Sequence, residues 1–151
     1  MKDNTGFQEM LEMEQRRHAF SEEEKCLLLK TLTQRLGEHS DVRFAFVHGS
    51  FLEDIHCRDI DIAVYFEPTL NTETLYQLAL RLAAELTSLV HITVDVHPLN
   101  LASTAFAYYA TQGELILSRD HEETFGFVEN TWLAYMDFSS FTRQLIVDLA
   151  D

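Results

Sequence analysis

The chain has 151 residues, of which 46% are hydrophobic, and this suits one folded unit with a substantial core and excludes a disordered chain. Its 25 acidic and 11 basic side chains give a formal net charge of −14 at pH 7. This argues against DNA or RNA as a partner, because binding to nucleic acids depends on Lys and Arg side chains that neutralise phosphates. No stretch is long and apolar enough to span a bilayer and the acidic N-terminus is unlike a secretory signal, so we expect a cytoplasmic protein.

The first firmly predicted helix begins at Ser21. Residues 1–20 are polar and acidic and are interpreted as an N-terminal arm that could itself be helical, followed by a single domain over residues 21–151. Ser21 and Glu24 have the spacing of a capping box, in which each side chain satisfies a free amide of the first helical turn. Apolar side chains then recur on one helical face up to a stop near Gly37: Leu28, Leu29, Leu32 and Leu36.

Three apolar runs are predicted to be strands. The first covers residues 43–48 and ends at Gly49 and Ser50, the second covers 60–66, and the third covers 91–97. The residues directly after Ser50 are predicted to form a turn or a short helix. A long amphipathic helix lies between the second and third strands, with leucines at helical spacing: Leu75, Leu78, Leu82, Leu86 and Leu89.

The rest of the chain continues this alternation of helices and strands. Asn100 is interpreted as the N-cap of a helix that runs through Tyr109, and Gly113 precedes a short strand over residues 115–117. Residues 122–151 contain apolar residues spaced for a C-terminal helix. The order of elements predicts a layered α/β domain whose sheet need not be all parallel.

Two acidic residues begin the second predicted strand. Side chains alternate along a strand, so Asp59 and Asp61 point the same way, with Cα atoms roughly 7 Å apart. Two neighbouring carboxylates on a buried strand repel each other and lose solvation, and a divalent cation would compensate for both effects. Magnesium prefers such oxygen ligands. The alternative is a strand end whose acids simply face water.

Two further signals accompany the acid pair. Asp95 interrupts a run of apolar and β-branched residues, where an acid is locally unfavourable and often marks function, although a satisfied core aspartate or an edge position is the alternative. Gly49 and Ser50 follow a strand, where glycine permits close approach of a phosphate and the serine hydroxyl can donate to it. A plain turn is the alternative there. Together, the three signals fit one site.

These residues resemble the signature of the DNA polymerase β-type nucleotidyltransferase superfamily, and within it the minimal nucleotidyltransferases called MNT proteins. The resemblance is carried by residues 46–50 and 59–64, and it continues through 94–100 and 113–120, so that it covers residues 21 to about 138. This chain departs from many MNT proteins in one respect. Eight residues separate Ser50 from Asp59, and several of them are charged or ionisable: Glu53, Asp54, His56 and Arg58.

The resemblance implies a nucleotidyltransferase fold, with a small mixed β-sheet flanked by helices and a C-terminal helical segment. It implies that Asp59 and Asp61 bind the metals that bridge a nucleoside triphosphate, and that Asp95 holds the catalytic metal and helps to activate the attacking hydroxyl. Gly49 and Ser50 would contact the β- and γ-phosphates. The implied cofactor is Mg²⁺, as two ions, and ATP is the substrate of an in-line attack that releases pyrophosphate.

MNT proteins commonly serve as antitoxins to HEPN-type ribonucleases. The resemblance therefore implies transfer of AMP from ATP to a hydroxyl, a tyrosine, of a HEPN-type toxin partner. One alternative is a non-catalytic antitoxin that neutralises its partner by binding, which the high negative charge and the aromatic C-terminal segment favour. Another is nucleotide transfer to a small molecule, although the remaining chain does not clearly build a second substrate pocket. The sequence leaves the oligomeric state open, a homo-oligomer included.

Several ionisable side chains near the motif have plainer interpretations. Arg58 could reach a phosphate, but a solvated charge is the simpler reading. His48 is interpreted as a packed strand histidine, and the alternative is that it lines the pocket. No ligand cluster is expected among the other histidines near the motif: His56, His91 and His97.

The cysteines and C-terminal aromatics are interpreted as structural. Cys26 and Cys57 are expected to be ordinary reduced thiols, with Cys26 packed on the first helix. One of the adjacent Tyr108 and Tyr109 is expected to be exposed. Core packing is favoured over a partner-binding face for the aromatics of the last helix: Trp132, Tyr135, Phe138 and Phe141.

Overall fold

The computed structural model describes residues 18–53 and 56–150, together with positions 6, 8, 9, 11 and 12, which are helical. The helices are α1 (Glu22–Gly37), α2 (Ser50–Glu53), α3 (Thr72–Val90), α4 (Thr104–Ala110) and α5 (His121–Ala150). The strands are β1 (His18–Ala19), β2 (Val42–His48), β3 (His56–Cys57), β4 (Asp59–Phe66), β5 (Thr93–Pro98) and β6 (Glu114–Ser118). A 3₁₀ turn covers Leu99–Leu101. Within the described ranges, no helix is long and apolar enough to cross a membrane.

A four-stranded mixed sheet organises the chain, in the order β5-β4-β2-β6. The β4–β5 pair is parallel, and β2 is antiparallel to both of its neighbours. A separate ladder pairs β1 with β3 and so ties the chain before α1 to the segment that precedes β4. The predicted small mixed sheet flanked by helices is therefore confirmed, whereas the division between residues 1–20 and 21–151 stays a prediction.

The two faces of the sheet are covered by different helices. Ile60, Ile62 and Val64 of β4 are fully buried in a core that α1 and α3 complete. The leucine stripes supply the facing side chains, and Leu32 and Leu86 are among those with no exposed surface. On the other face, β2 and β4 pack against α4 and α5. This second core contains Phe44 and Phe46 of β2, Ala63 of β4, Ala107 and Ala110 of α4, and Phe127 of α5.

Individual side chains and one glycine determine where α1 begins and how closely neighbouring elements pack. Ser21 caps α1 by accepting the Glu24 amide at 3.1 Å, and its hydroxyl donates to the Glu24 carboxylate at 3.2 Å. The Arg119 guanidinium donates to main-chain carbonyls at the end of α1 and the start of β2. Gly113 precedes β6 at a point where a Cβ would overlap the Val47 carbonyl, so only glycine lets the end of α4 lie against β2.

The predicted N-cap at Asn100 is wrong. The Asn100 side chain instead accepts from the Phe66 amide at 2.8 Å and donates to the Phe66 carbonyl at 3.0 Å. Its amide group thus pairs with the last residue of β4, and the chain makes a 3₁₀ turn before the helix can start. Ser103 caps α4, because its hydroxyl accepts from the Phe106 amide at 3.2 Å.

The last helix packs along its first half only. Trp132 donates to the Thr111 hydroxyl at 3.0 Å, and Tyr135 stacks on Tyr108 with ring centroids 3.9 Å apart, so the predicted packing is confirmed for these two aromatics. It is wrong for Phe138 and Phe141, which are 67% and 68% exposed because α5 continues beyond the surfaces it packs against.

Two smaller expectations on single residues have opposite outcomes. Tyr109 is exposed while its neighbour Tyr108 packs on α5, as expected for adjacent residues of one helix. Cys26 lies on the exposed side of α1, so its predicted packing is wrong, and Cys57 is the buried cysteine.

Candidate active site

One face of the sheet gathers ionisable side chains from three neighbouring strands. Asp61 of β4 lies opposite Asp95 of β5 in the parallel register and opposite His48 of β2 in the antiparallel register. The pleat places Asp59 on the same face as Asp61, because Ile60 between them points into the opposite core. The topology therefore brings together the three acids that the sequence placed on separate strands.

The three carboxylates form a compact acid cluster, Asp59, Asp61 and Asp95. One oxygen of each lies within 4.8 Å of the others, and all three residues are half-buried. Burial, followed by the negative charges of Asp61 and Asp95 and a hydrogen bond with Asp95, raises the pKa of Asp59 above its ordinary value. Burial and the neighbouring negative charges both disfavour the charged form of Asp59, and a bound cation would oppose both effects. The cluster offers hard oxygen donors, and these residues fit a divalent cation such as Mg²⁺.

Gly49 forms the turn between β2 and α2 directly beside the acid cluster. Its φ is +81°, a left-handed backbone conformation that is unfavourable for residues with a Cβ atom. A Cβ at this position would lie 2.8 Å from Oδ2 of Asp61. Glycine is therefore required twice here, for the backbone conformation and for the close approach of the carboxylate. Ser50 follows as the half-buried first residue of α2.

His97 contacts the acid cluster, although we did not predict it as a site residue. Its Nε2 lies 3.8 Å from Oδ1 of Asp61. The neighbouring Asp61 carboxylate raises the pKa of His97 against the opposing effect of burial, and the charges of Asp95 and Asp59 act in the same direction. The strand alternation could have found it, since His97 is two residues after Asp95 and so shares its face.

His48 lies on the other side of Asp61 and is buried, as predicted for a packed strand histidine. Only 5% of its surface is exposed. Burial lowers the pKa of His48, although the Asp61 charge opposes this effect. Its ring meets Phe106 and Tyr109 edge-on, with centroids 5.5 Å and 6.0 Å away. The packing interpretation is correct, and the residue also adjoins the acid cluster.

The short segment between Ser50 and Asp59 is anchored at its far end. α2 occupies its first residues, and β3 pairs with β1 just before Asp59. Arg58 is exposed, as expected for a solvated charge. Asp54, one of the charged residues of this segment, lies outside the described residues.

A second concave region is separate from the acid cluster. A cavity of about 680 Å³ lies between α4 and α5, and its lining residues all come from 103–105 and 134–143. Tyr135 and Phe138 are the two aromatic residues of its lining. Phe138, one of the exposed apolar side chains of α5, lines this cavity, and none of the three carboxylates does.

The family comparison agrees with this arrangement. A family model described as "Polymerase beta, Nucleotidyltransferase" matches residues 30–122, a range that contains Gly49, Ser50 and the whole acid cluster. No protein of curated function matches the sequence.

Several solved structures share the fold. A chain of the complex between tri-AMPylated Shewanella oneidensis HEPN toxin and MNT antitoxin is 23% identical, with a TM-score of 0.61 over 84% of this chain and 99% of that chain. A chain of the toxin–antitoxin MntA–HepT is 23% identical, with a TM-score of 0.60 over 83% and 98%. A chain of the toxin–antitoxin with AMP-PNP is 24% identical, with a TM-score of 0.58 over 87% and 100%. The likeness extends over nearly the full length of each of these chains.

Proposed function

This chain belongs to the polymerase β nucleotidyltransferase family, and from that premise we propose that it is an MNT-type antitoxin that transfers AMP from ATP to a hydroxyl, a tyrosine, of a HEPN-type toxin. The observation that carries the proposal is the acid cluster beside the Gly49–Ser50 turn. The fold neighbours add support for the partner, since they include a tri-AMPylated HEPN toxin in complex with an MNT antitoxin and a toxin–antitoxin with AMP-PNP.

Each residue of the site has a role in this reaction. Asp59, Asp61 and Asp95 would hold Mg²⁺, as two ions, and bound Mg²⁺ would supply positive charge that stabilises the phosphates and the leaving pyrophosphate. Gly49 and Ser50 would donate to the β- and γ-phosphate oxygens. The acceptor oxygen forms a bond to the α-phosphorus as the bond to pyrophosphate breaks, and the hydroxyl proton passes to the Asp95 carboxylate.

The position of Asp95 suits a macromolecular acceptor. β5 is an edge strand of the sheet, so the side of the acid cluster that Asp95 forms is not enclosed by another strand. A protein hydroxyl can approach from that side while the triphosphate lies at the Gly49–Ser50 turn. The formal charge of −14 would attract a basic partner.

The test is label transfer from α-³²P-ATP to a purified HEPN toxin in the presence of Mg²⁺. Asp61→Asn keeps the volume of the side chain and removes its charge, and Asp137→Asn makes the same change at an exposed position of α5. We expect Asp61→Asn to lose at least about 100-fold in rate, since even the loss of a residue that only supports a metal ligand costs about 10- to 100-fold. Equal transfer by Asp61→Asn and the parent chain would refute this mechanism.

A second candidate is a non-catalytic antitoxin that neutralises the toxin by binding it. The observation in its favour is the exposed apolar surface at the end of α5, where Phe138, Phe141 and Leu149 are 67%, 68% and 79% exposed. Deletion of residues 138–151 and the double change Asp59→Ala/Asp61→Ala distinguish the two candidates in a toxin-protection assay. Binding alone requires protection to survive the double change and to be lost on deletion, whereas AMP transfer requires loss on the double change.

A further inference from the structure

His48 has an unusual hydrogen-bonding state for a buried side chain. Its Nδ1 and Nε2 both have essentially no accessible surface and no hydrogen-bond partner, and in the part of the chain that the structure describes no other buried side-chain nitrogen or oxygen is in this state. In either tautomer the ring carries at least one N–H donor. A buried donor without an acceptor destabilises the fold, so its retention at this position calls for a functional reason.

The neighbours that cover the His48 ring do not supply that acceptor. The Phe106 and Tyr109 rings lie nearly perpendicular to it, and the His97 ring lies 6.1 Å away, centroid to centroid. The His48 ring is thus enclosed among aromatic rings on the side away from the strands.

Asp61 is the acidic residue directly opposite His48. The two residues are paired in the β2–β4 register and share the face of the acid cluster, where cross-strand side chains lie within contact distance. Oδ1 of Asp61 faces His97 at 3.8 Å, and Oδ2 lies beside Gly49. A carboxylate has four lone-pair positions, so Asp61 can accept a further hydrogen bond while it also binds a cation.

We propose that His48 is a positioning residue for Asp61, and that its ring N–H donates to the Asp61 carboxylate when a divalent cation and the nucleotide occupy the acid cluster. The inference rests on the proposed function for the nature of that loaded site. Carboxylates that bind metals are usually held by hydrogen bonds from a second layer of residues, and loss of such a residue typically weakens metal binding. The imidazole would fix the rotamer of Asp61 in the loaded site.

Three variants separate a hydrogen-bonding role from a packing role. His48→Phe fills the same space without a donor, His48→Gln restores an N–H donor, and Phe106→Leu changes the packing around His48 without a polar atom. The measurements are Mn²⁺ affinity in the presence of AMP-PNP, by electron paramagnetic resonance, and the thermal unfolding midpoint. Neither measurement requires AMP transfer.

We expect His48→Phe to weaken Mn²⁺ binding about tenfold or more, with an unfolding midpoint equal to or above that of the parent chain, because no unsatisfied donor remains. His48→Gln should recover part of the affinity. Phe106→Leu should lower the midpoint and leave the affinity within about twofold. A histidine ¹⁵N spectrum, with His48 assigned by its loss in His48→Phe, should show its ring N–H signal shift when Mg²⁺ and AMP-PNP are added.

An unchanged Mn²⁺ affinity in His48→Phe, or an unmoved His48 signal, would overturn the proposal. A weaker affinity that appears equally in Phe106→Leu would also overturn it, since packing would then be the cause. If the parent chain binds Mn²⁺ with AMP-PNP but transfers no AMP, the proposed function fails and the role of His48 is still decided by the variants. If the parent chain binds no Mn²⁺ under any condition, both proposals fail together.

Discussion

Replacing Gly49 by alanine tests whether the turn beside the acid cluster depends on glycine as closely as its geometry indicates. The backbone there has a φ of +81°, and the new Cβ would lie 2.8 Å from Oδ2 of Asp61. The neighbouring atom is the end of a side chain, so the clash is relieved if Asp61 turns away. The change is therefore expected to affect stability modestly and the geometry of the acid cluster strongly.

Two opposing effects determine how much stability Gly49→Ala loses. A left-handed conformation costs an L-residue roughly 1–2 kcal/mol relative to glycine. Alanine also lowers the conformational entropy of the unfolded chain, and this offsets about 0.4–1 kcal/mol of that cost. The net loss from Gly49→Ala is then about 1 kcal/mol, which corresponds to a fall of about 2–4 °C in the unfolding midpoint for a chain of this size. The affinity for nucleotide with Mg²⁺ should be affected more strongly than stability, because Asp61 no longer holds its position.

Gly126 provides a matched control for this prediction. It lies within α5 with no atom within 4 Å of a Cβ built on it, so Gly126→Ala meets open space. We expect a gain of about 0.5–1 kcal/mol from helix propensity and no change in nucleotide binding. Thermal unfolding and calorimetry with Mg²⁺ and AMP-PNP measure both quantities. A Gly49→Ala chain that is as stable as Gly126→Ala and binds nucleotide like the parent would refute the reasoning.

Two further changes test interactions away from the acid cluster. Asn100→Ala removes both hydrogen bonds to the Phe66 backbone and leaves that amide and carbonyl unpaired. Urea denaturation should therefore show a free energy of unfolding that is lower by roughly 2–3 kcal/mol. A decrease well below about 1 kcal/mol would contradict this. Burial would raise the pKa of Glu85, but hydrogen bonds from Arg35 and His39 hold it below its ordinary value, so the stability that Glu85 contributes is present at neutral pH and is lost as the pH falls below 4.5. Glu85→Gln should therefore be less stable than the parent by up to about 1 kcal/mol at pH 7, and this difference should shrink as the pH falls below the lowered pKa of Glu85. A difference that persists unchanged in acid would contradict this.

The acid cluster was predictable because it depends on two strong regularities. Alternation along β4 places Asp59 and Asp61 on one face and Ile60 on the other, whatever the rest of the fold does. The 19-residue helix α3 between β4 and β5 is a crossover connection of the kind that joins parallel strands, and this brings Asp95 beside Asp61. Both features can be read from hydrophobic periodicity.

The two histidines beside the cluster were harder to place for different reasons. His97 follows from the same alternation as Asp95, but a search for histidines at metal-ligand spacing does not find it, because its partner is a carboxylate on the neighbouring strand. His48 depends on the register between β2 and β4, which is set by the short segment between Ser50 and Asp59 and by an irregularity near Val42. Such a register has no local signature in a single sequence.

Asn100 shows how a tertiary contact overrides a local signal. An asparagine just after a strand and before apolar residues at helical spacing has the pattern of an N-cap. Its side-chain amide, however, has the same donor and acceptor pair as a peptide group and can extend the pairing at the end of β4. The partner, Phe66, is 34 residues away in sequence, and the local pattern contains no information about it.

The last helix shows why periodicity predicts an apolar face but not what covers it. α5 has 30 residues and a length of about 45 Å, whereas an eight-residue strand such as β4 spans about 26 Å. A helix of that length cannot pack against the sheet from end to end. Phe138 and Phe141 continue the spacing of the half-buried Trp132 and Tyr135, yet they are 67% and 68% exposed. The same sequence pattern therefore builds the core in the first half of the helix and an exposed apolar surface in the second, and that surface is where the binding-only candidate function would have to act.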